Sequence, residues 1–192
     1  MEAFFKTIAA FIELEEEARS ALAAILTCVE APKGHLLLRP HSVCNHIYFV
    51  EKGLTRTFYT KDDKDITDWL SPEGTFACSV MSFINRHPDR RGIELLEDAT
   101  LWALQYDELE QAYRQHHELE RMGRLIVGSG LVQVQQRFDD LHFATAAERY
   151  QKLMSQYPFL IQRTPLGMVA SYLGITQETL SRIRSHFTPH SL

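Results

Sequence analysis

The sequence predicts an α+β chain: a helical lead, a small β-roll, a long helix and a closing helix-turn-helix. Three observations carry this. Apolar residues recur at helical spacing over residues 2–27 and again over 107–140. Between them, from Cys28 to about Leu104, short apolar or alternating runs are separated by turn residues. Near the C-terminus, Thr164 to Arg184 combines capping residues, a turn glycine and apolar positions at the spacing of two short helices.

In the lead, Phe4, Phe5, Ile8, Ala9 and Ile12 fall on one helix face, and Leu14, Ala18, Ala21, Leu22 and Ile25 continue it after a break near Glu13. Glu15-Glu16-Glu17 reads as a solvated first turn rather than a metal site. The strand runs are Leu36-Leu37-Leu38, Ile47-Tyr48-Phe49-Val50, Thr55-Arg56-Thr57-Phe58-Tyr59, Ile66-Thr67-Asp68-Trp69-Leu70 and Ile93-Glu94-Leu95-Leu96. Turn stretches such as Pro32-Lys33-Gly34, Glu51-Lys52-Gly53 and Ser71-Pro72-Glu73-Gly74 separate them, a rhythm that predicts a small barrel or jelly roll. Asp62-Asp63-Lys64-Asp65 lacks the glycine and the distal glutamate of a calcium loop, so it reads as a hairpin tip.

Over 107–140, Leu109, Ala112, Leu119, Met122, Leu125, Ile126, Val132 and Val134 stand amid Glu, Gln and Arg. One long helix is expected here. Its stripe must be buried on something, and a twin helix in a homodimer is an economical partner. Gly123, Gly128 and Gly130 either allow close backbone approach or mark a kink. A further helix runs from Thr145 to Gln156.

In the closing pair, Thr164 is placed to cap the first helix and Pro165 to open it. Gly174 supplies the turn, Thr176 caps the second helix, and Glu178 faces its positive end. Val169, Leu173, Ile175, Leu180 and Ile183, with small Ala170 at the crossing, are the packing set of a helix-turn-helix whose second helix enters a DNA major groove. The candidate DNA-binding residues are Thr176, Gln177, Glu178, Thr179, Ser181, Arg182 and Arg184. A guanidinium at Arg182 can donate to guanine O6 and N7, while Glu178 can accept from a cytosine amino group and hold Arg182 in place. Arg184 is expected nearer the phosphates. An ordinary αα-hairpin is the plainer alternative.

Composition narrows the class. With 192 residues and 45% hydrophobic content the chain can bury a real core, and no run approaches the ~20 apolar residues of a membrane span. The N-terminus lacks a basic region followed by a long apolar core, so a cytoplasmic protein is expected. Cys28, Cys44 and Cys78 form no C-x-x-C pair, which points to neither a disulfide framework nor a zinc site. Net charge is −5, but residues 141–192 carry +3 and the first 140 carry −8. A mildly basic C-terminal module on an acidic body suits local phosphate contact.

This order of elements resembles the Crp/Fnr family of bacterial dimeric transcription regulators, which have a cyclic-nucleotide-binding-like sensor domain. The resemblance covers nearly the whole chain. In the sensor it rests on Pro32-Lys33-Gly34, Ile47 to Gly53 and Leu70 to Phe76; in the DNA module it rests on Val169 to Ile183, the more specific match. It implies a sensor domain over 1–106, a long dimerisation helix over 107–140 and a DNA-binding domain over 141–192. The implied partners are double-stranded DNA, a second copy of the chain, an unidentified small-molecule effector and RNA polymerase as a further candidate.

Two departures from the family stand out. Members that bind cyclic nucleotides have a cassette resembling Gly-Glu, a short helix, then Arg-Ser or Arg-Thr. The corresponding positions here look like Cys78 and Ser79, then Asp89-Arg90 or Arg90-Arg91, so Cys78, Ser79, Arg90 and Arg91 are the candidate effector residues. Without the ribose-binding glutamate, cyclic AMP binding is not expected. The family also follows its recognition helix with a β-hairpin wing, and Thr188-Pro189-His190-Ser191-Leu192 are too few for two strands.

No metal, haem or iron–sulfur cofactor is expected, because the cysteines do not cluster and no histidine spacing is distinctive. A cupin-type enzyme would need a His-x-His pair that His41 and His46 do not form, and no Ser/His/Asp or Cys/His set stands out. The remaining alternative is a ligand-binding or protein-interaction module with a vestigial DNA-binding domain.

Overall fold

A computed structural model of the chain describes residues 1–187. The lead forms two helices, α1 (Glu2–Ala9) and α2 (Glu16–Ala24), separated at the expected break. Their inward residues Phe4, Phe5, Ile8, Ala18 and Leu22 are buried.

Eight strands follow: β1 (Leu26–Ala31), β2 (Leu36–Leu38), β3 (His46–Lys52), β4 (Thr55–Lys61), β5 (Lys64–Ser71), β6 (Phe76–Ala77), β7 (Gly92–Leu95) and β8 (Ala99–Gln105). A short helix, α3 (Val80–Asn85), lies between β6 and β7. The strands make two four-stranded antiparallel sheets, β1-β8-β3-β6 and β2-β7-β4-β5. Alternation in the sequence marks β2, β3, β4, β5 and β7 but passes over β1, β6 and β8. In β8 the inward positions include small Ala99 and Ala103, which are buried yet weigh little in an apolar pattern. Asp62 and Asp63 both adopt positive φ, as a two-residue hairpin turn requires, so this acidic stretch is the hairpin tip joining β4 to β5.

The helix expected over 107–140 is two helices, α4 (Tyr106–Gln115) and α5 (His117–Phe143), because His116 leaves helical geometry at φ −129° and ψ 103°. Leu109, Ala112, Leu119 and Met122 are buried in the same core as the roll and the lead. Gly123 is the point of close approach: a Cβ there would collide with the ring and hydroxyl of Tyr113 on α4. Around Gly128 and Gly130 there is open space. From Val127 onward the apolar face of α5 is uncovered, with Val127, Leu131, Val134, Phe138 and Leu141 between 40% and 69% exposed. No helix among the described residues is long and apolar enough to cross a membrane.

The C-terminal helices are α6 (Ala146–Gln156), α7 (Leu160–Arg163), α8 (Leu166–Leu173) and α9 (Gln177–Phe187). Thr145 and Glu148 form a reciprocal capping box at the start of α6, with the Thr145 amide donating to the Glu148 carboxylate at 2.7 Å. Tyr150, Leu153, Leu160, Val169, Ala170, Leu173 and Leu180 make a second core, and it includes Leu54, Leu70 and Leu96 from the roll. The helical module therefore packs directly on a face of the β2-β7-β4-β5 sheet. Polar contacts reinforce the joint. The Thr67 amide donates to Ser171 Oγ at 2.9 Å, and Arg163 chelates Glu73 through bonds of 2.6 and 2.9 Å while also meeting Glu97.

Candidate nucleic-acid interface and sensor pocket

The helix-turn-helix is α8, a turn at Gly174 and α9. Gly174 takes φ +67°, the left-handed conformation a glycine adopts at least cost, and the Ile175 amide closes the end of α8 on Ala170 O. All five apolar positions anticipated for the motif lie in or against the second core, with Val169, Leu173 and Leu180 nearly inaccessible. One detail is corrected. Pro165 sits at the N-cap of α8 rather than inside it, and Thr164 caps nothing, its Oγ1 being buried without a hydrogen-bond partner. The helix begins at Leu166, with the Met168 and Val169 amides bonding Pro165 O, so Thr164 lies one residue before the capping position. Thr176 does cap α9, its Oγ1 accepting from the Thr179 amide at 3.2 Å.

Arg137 and Arg149 brace the motif against the end of α5, and Lys152 ties α6 to the same stretch. Arg137 donates to Tyr172 O at 2.9 Å with its guanidinium 3.9 Å from the Tyr172 ring centre. Arg149 donates to Leu173 O and Ala144 O, and Lys152 pairs with Asp140 at 2.6 Å. Arg137 and Arg149 thus satisfy carbonyls at the C-terminal end of α8, where helices leave theirs unpaired. Of the five bases that make residues 141–192 positive, Arg149, Lys152 and Arg163 are engaged inside the protein. The sequence-level charge asymmetry therefore overstates the surface charge available to phosphate.

On α9 the outward row is solvent-facing: Thr176, Gln177, Glu178, Ser181 and Arg182 are exposed, while Thr179 and Arg184 are partly covered. Arg182 donates to Thr179 Oγ1 at 3.4 Å, and the ion pair expected between Glu178 and Arg182 is not within 4.0 Å. Glu178 is held below the usual carboxylate range by its own backbone amide first, then by Thr176 and the charge of Arg182. Gln177 is bent back over Gly167, where a Cβ would displace its amide. The wing expectation falls on Thr188–Leu192, outside the described residues.

In the roll the candidate effector residues separate. Ser79 precedes α3 and donates to Asp89 Oδ2 at 2.7 Å. Arg91 reaches the same carboxylate at 3.2 Å and donates to Asp68 at 2.6 Å. Burial raises the Asp89 pKa, but the Ser79 hydroxyl and the Arg91 charge outweigh it and hold the group below its ordinary value. Arg90 turns outward over the Tyr59 ring, 4.7 Å from its centre. Ser79 and Arg91 thus converge on Asp89, and Arg90 does not join them. Two carboxylates occupy the guanidinium a phosphate would need.

Cys78 does not join that set. Its sulfur lies 3.9 Å from Cys44 Sγ, a neighbour 34 residues away that spacing gives no means of finding. Arg86 was equally hidden. It ends α3 in left-handed geometry, donates to Cys44 O at 2.8 Å and to Asn45, and stacks 3.9 Å from the Tyr106 ring centre.

Residues 28–116 match the family model of the cyclic nucleotide-binding domain. No curated protein sequence matches the chain. Among solved structures, FixK2 from Bradyrhizobium japonicum superposes with a TM-score of 0.71 at 17% identity, covering 85% of this chain and 84% of that one. The catabolite activator protein of Thermus thermophilus gives 0.58 at 19% identity over 94% and 86%. A transcriptional regulator of the Crp/Fnr family from Eubacterium rectale gives 0.69 at 15% identity over 91% and 83%. The family match is confined to residues 28–116. The chain as a whole has the fold of the Crp/Fnr transcription regulators.

Proposed function

We propose that this chain is a Crp/Fnr-type, DNA-binding transcription regulator that acts as a homodimer and whose sensor pocket does not take cyclic AMP. The reading divides the chain as the sequence does, into a sensor over 1–106, a dimerisation segment over 107–140 and a DNA-binding module over 141–192. The observation that carries it is the α9 face: Thr176, Glu178, Ser181 and Arg182 are exposed, beside Gln177, on a helix whose opposite side is locked by Leu180 and Ile183. Such a face can lie in a major groove and present hydrogen-bonding side chains to base edges. The pairing of Arg91 with Asp68 and Asp89 supports the second clause, since a phosphodiester would have to displace a carboxylate. The reading implies a cytoplasmic regulator rather than an enzyme, with RNA polymerase as a further partner.

The internal engagement of Arg149, Lys152 and Arg163 favours the other reading, an interaction module whose DNA-binding domain is vestigial. A gel-shift titration of a selected duplex at several salt concentrations separates the two. A regulator gives sequence-dependent retardation whose logarithmic affinity falls linearly with log salt. Retardation equal for selected and scrambled duplexes would refute the proposal.

A further inference from the structure

Two thiols, Cys44 and Cys78, meet beside the candidate effector residues. Cys44 stands in the loop between β2 and β3, and Cys78 stands between β6 and α3. Their sulfurs are in van der Waals contact at 3.9 Å. The Cys44 backbone is bracketed by α3 on both sides: its amide donates to Ser82 Oγ at 2.9 Å, and its carbonyl accepts from Arg86 at 2.8 Å. Ser82 in turn donates to His87 O, so the loop, the helix and the segment after it are one hydrogen-bonded unit. Cys44 also borders a solvent-open cleft whose other walls include Leu37, Arg39, Asn45 and Tyr48. The Cys44 side chain is itself 1% exposed, so a small oxidant has to reach its sulfur from this cleft. The third cysteine, Cys28, is exposed on β1 and takes no part.

We propose that Cys44 and Cys78 are a peroxide-oxidisable thiol pair that closes to an intramolecular disulfide, clamping α3 to the β2–β3 loop. Reactivity follows from thiolate character and access. The Cys44 pKa is lowered to about 7, chiefly by the side-chain contact with Cys78; burial opposes this, and backbone contacts at Ser79 and His46 and the Arg86 charge add to the lowering. The Cys78 thiol is pushed up by its contact with Cys44 and by burial. The pair thus contains one nucleophile and one resolving thiol.

The chemistry balances with hydrogen peroxide as the oxidant. The Cys44 thiolate attacks one peroxide oxygen, the O–O bond breaks, and the expelled hydroxide leaves as water after taking a proton. Cys44 is then a sulfenic acid. The Cys78 sulfur attacks the Cys44 sulfur and forms the S–S bond. Its thiol proton leaves with the displaced hydroxide as a second water. The two thiols together lose two electrons and two protons, and the peroxide receives them. Bond formation requires the sulfurs to close to about 2.05 Å. Because Cys78 immediately precedes Ser79, the clamp acts on the residue that anchors the Asp89–Arg91 pairing.

The test is made on the full, unmodified chain, reduced and then treated with a small molar excess of hydrogen peroxide. Free thiols are counted under denaturing conditions, and the digested protein is mapped without reduction. The expected result is a fall from three titratable thiols to one, with a Cys44–Cys78 linked peptide that disappears on reduction. Cys28→Ser should leave that peptide in place. In Cys78→Ser the reaction should stop at a dimedone-trappable sulfenic acid on Cys44. Three thiols surviving treatment, a link involving Cys28, or over-oxidation of either cysteine without the linked peptide would each overturn the proposal.

Discussion

Arg182 and Arg184 sit two residues apart on α9 and should act on DNA in different ways. Arg182 is exposed on the outward row, where a bidentate contact to guanine is geometrically open. Arg182→Ala should cost roughly 1–3 kcal/mol on a true operator and relax preference at one base per half-site, while Arg184→Ala should weaken all sequences alike and flatten the salt slope. Fluorescence anisotropy across single-base operator variants distinguishes these outcomes; equal losses on every variant for Arg182→Ala would remove its reading role. In the sensor, calorimetry should show no cyclic AMP binding to the unmodified chain, and Asp89→Asn should strengthen anion binding by freeing Arg91 of one carboxylate. Micromolar cyclic AMP binding to the unmodified chain would contradict this. The exposed row of α9 was legible from sequence because it follows one helix period from a cap at Thr176. The pairing of Ser79 with Arg91 was not, since two adjacent arginines offer the same chemistry and only the backbone decides which turns inward. Cys44 and Arg86 were silent for a similar reason: their partners lie across the roll.

At the scale of the element, the decisive feature is the bare stripe on α5. Val127, Leu131, Val134, Phe138 and Leu141 recur at alternating steps of four and three, the heptad spacing of a coiled-coil seam. Leu131, at 69% exposed, makes no use of its side chain within one copy. Leu131→Asp should therefore abolish dimerisation and lower operator affinity in step, without lowering the thermal stability of the fold, because the charge enters only the desolvated seam. Light scattering that found the unmodified chain monomeric at micromolar concentration would end the idea. Ile126, which the sequence also suggests, is a poorer probe, since it packs against the roll core and its loss would disturb folding as well. Sequence periodicity found this segment but gave it a single role. In the structure its first part, from Leu109 to Met122, seals the roll, and only the remainder is free to meet a second copy. The break at His116 has no proline or glycine to announce it.

For the whole molecule, the consequential feature is that the β-roll and the C-terminal helices share a core through Leu54, Leu70 and Leu96. No sequence pattern separates a leucine facing the roll interior from one facing another module, so this joint was invisible beforehand. Arg163 latches it to Glu73 and Glu97. Burial raises the Glu73 pKa, but the hydrogen bonds from Arg163 more than offset this and set it below the ordinary value. A carboxylate depressed in the folded state contributes stability above its unfolded pKa, near 4.3, and loses it as pH falls through the folded value. Arg163→Ala should then destabilise the fold by about 0.5–1 kcal/mol at neutral pH after solvent screening, and by less in acid. Thermal unfolding at neutral and acidic pH measures the difference, and an effect that grows in acid would refute the latch.

The claim that the whole molecule reads DNA as a symmetric pair is tested most directly by selecting duplexes from a random pool with the unmodified full chain. The enriched sites should be inverted repeats, with half-site centres about 34 Å or a multiple of that apart, as two α9 helices related by a two-fold axis require. Selection with Arg182→Ala should retain the symmetry and lose one base of each half-site. A pool that stays random after repeated rounds, or enriched sites without two-fold symmetry, would contradict this account.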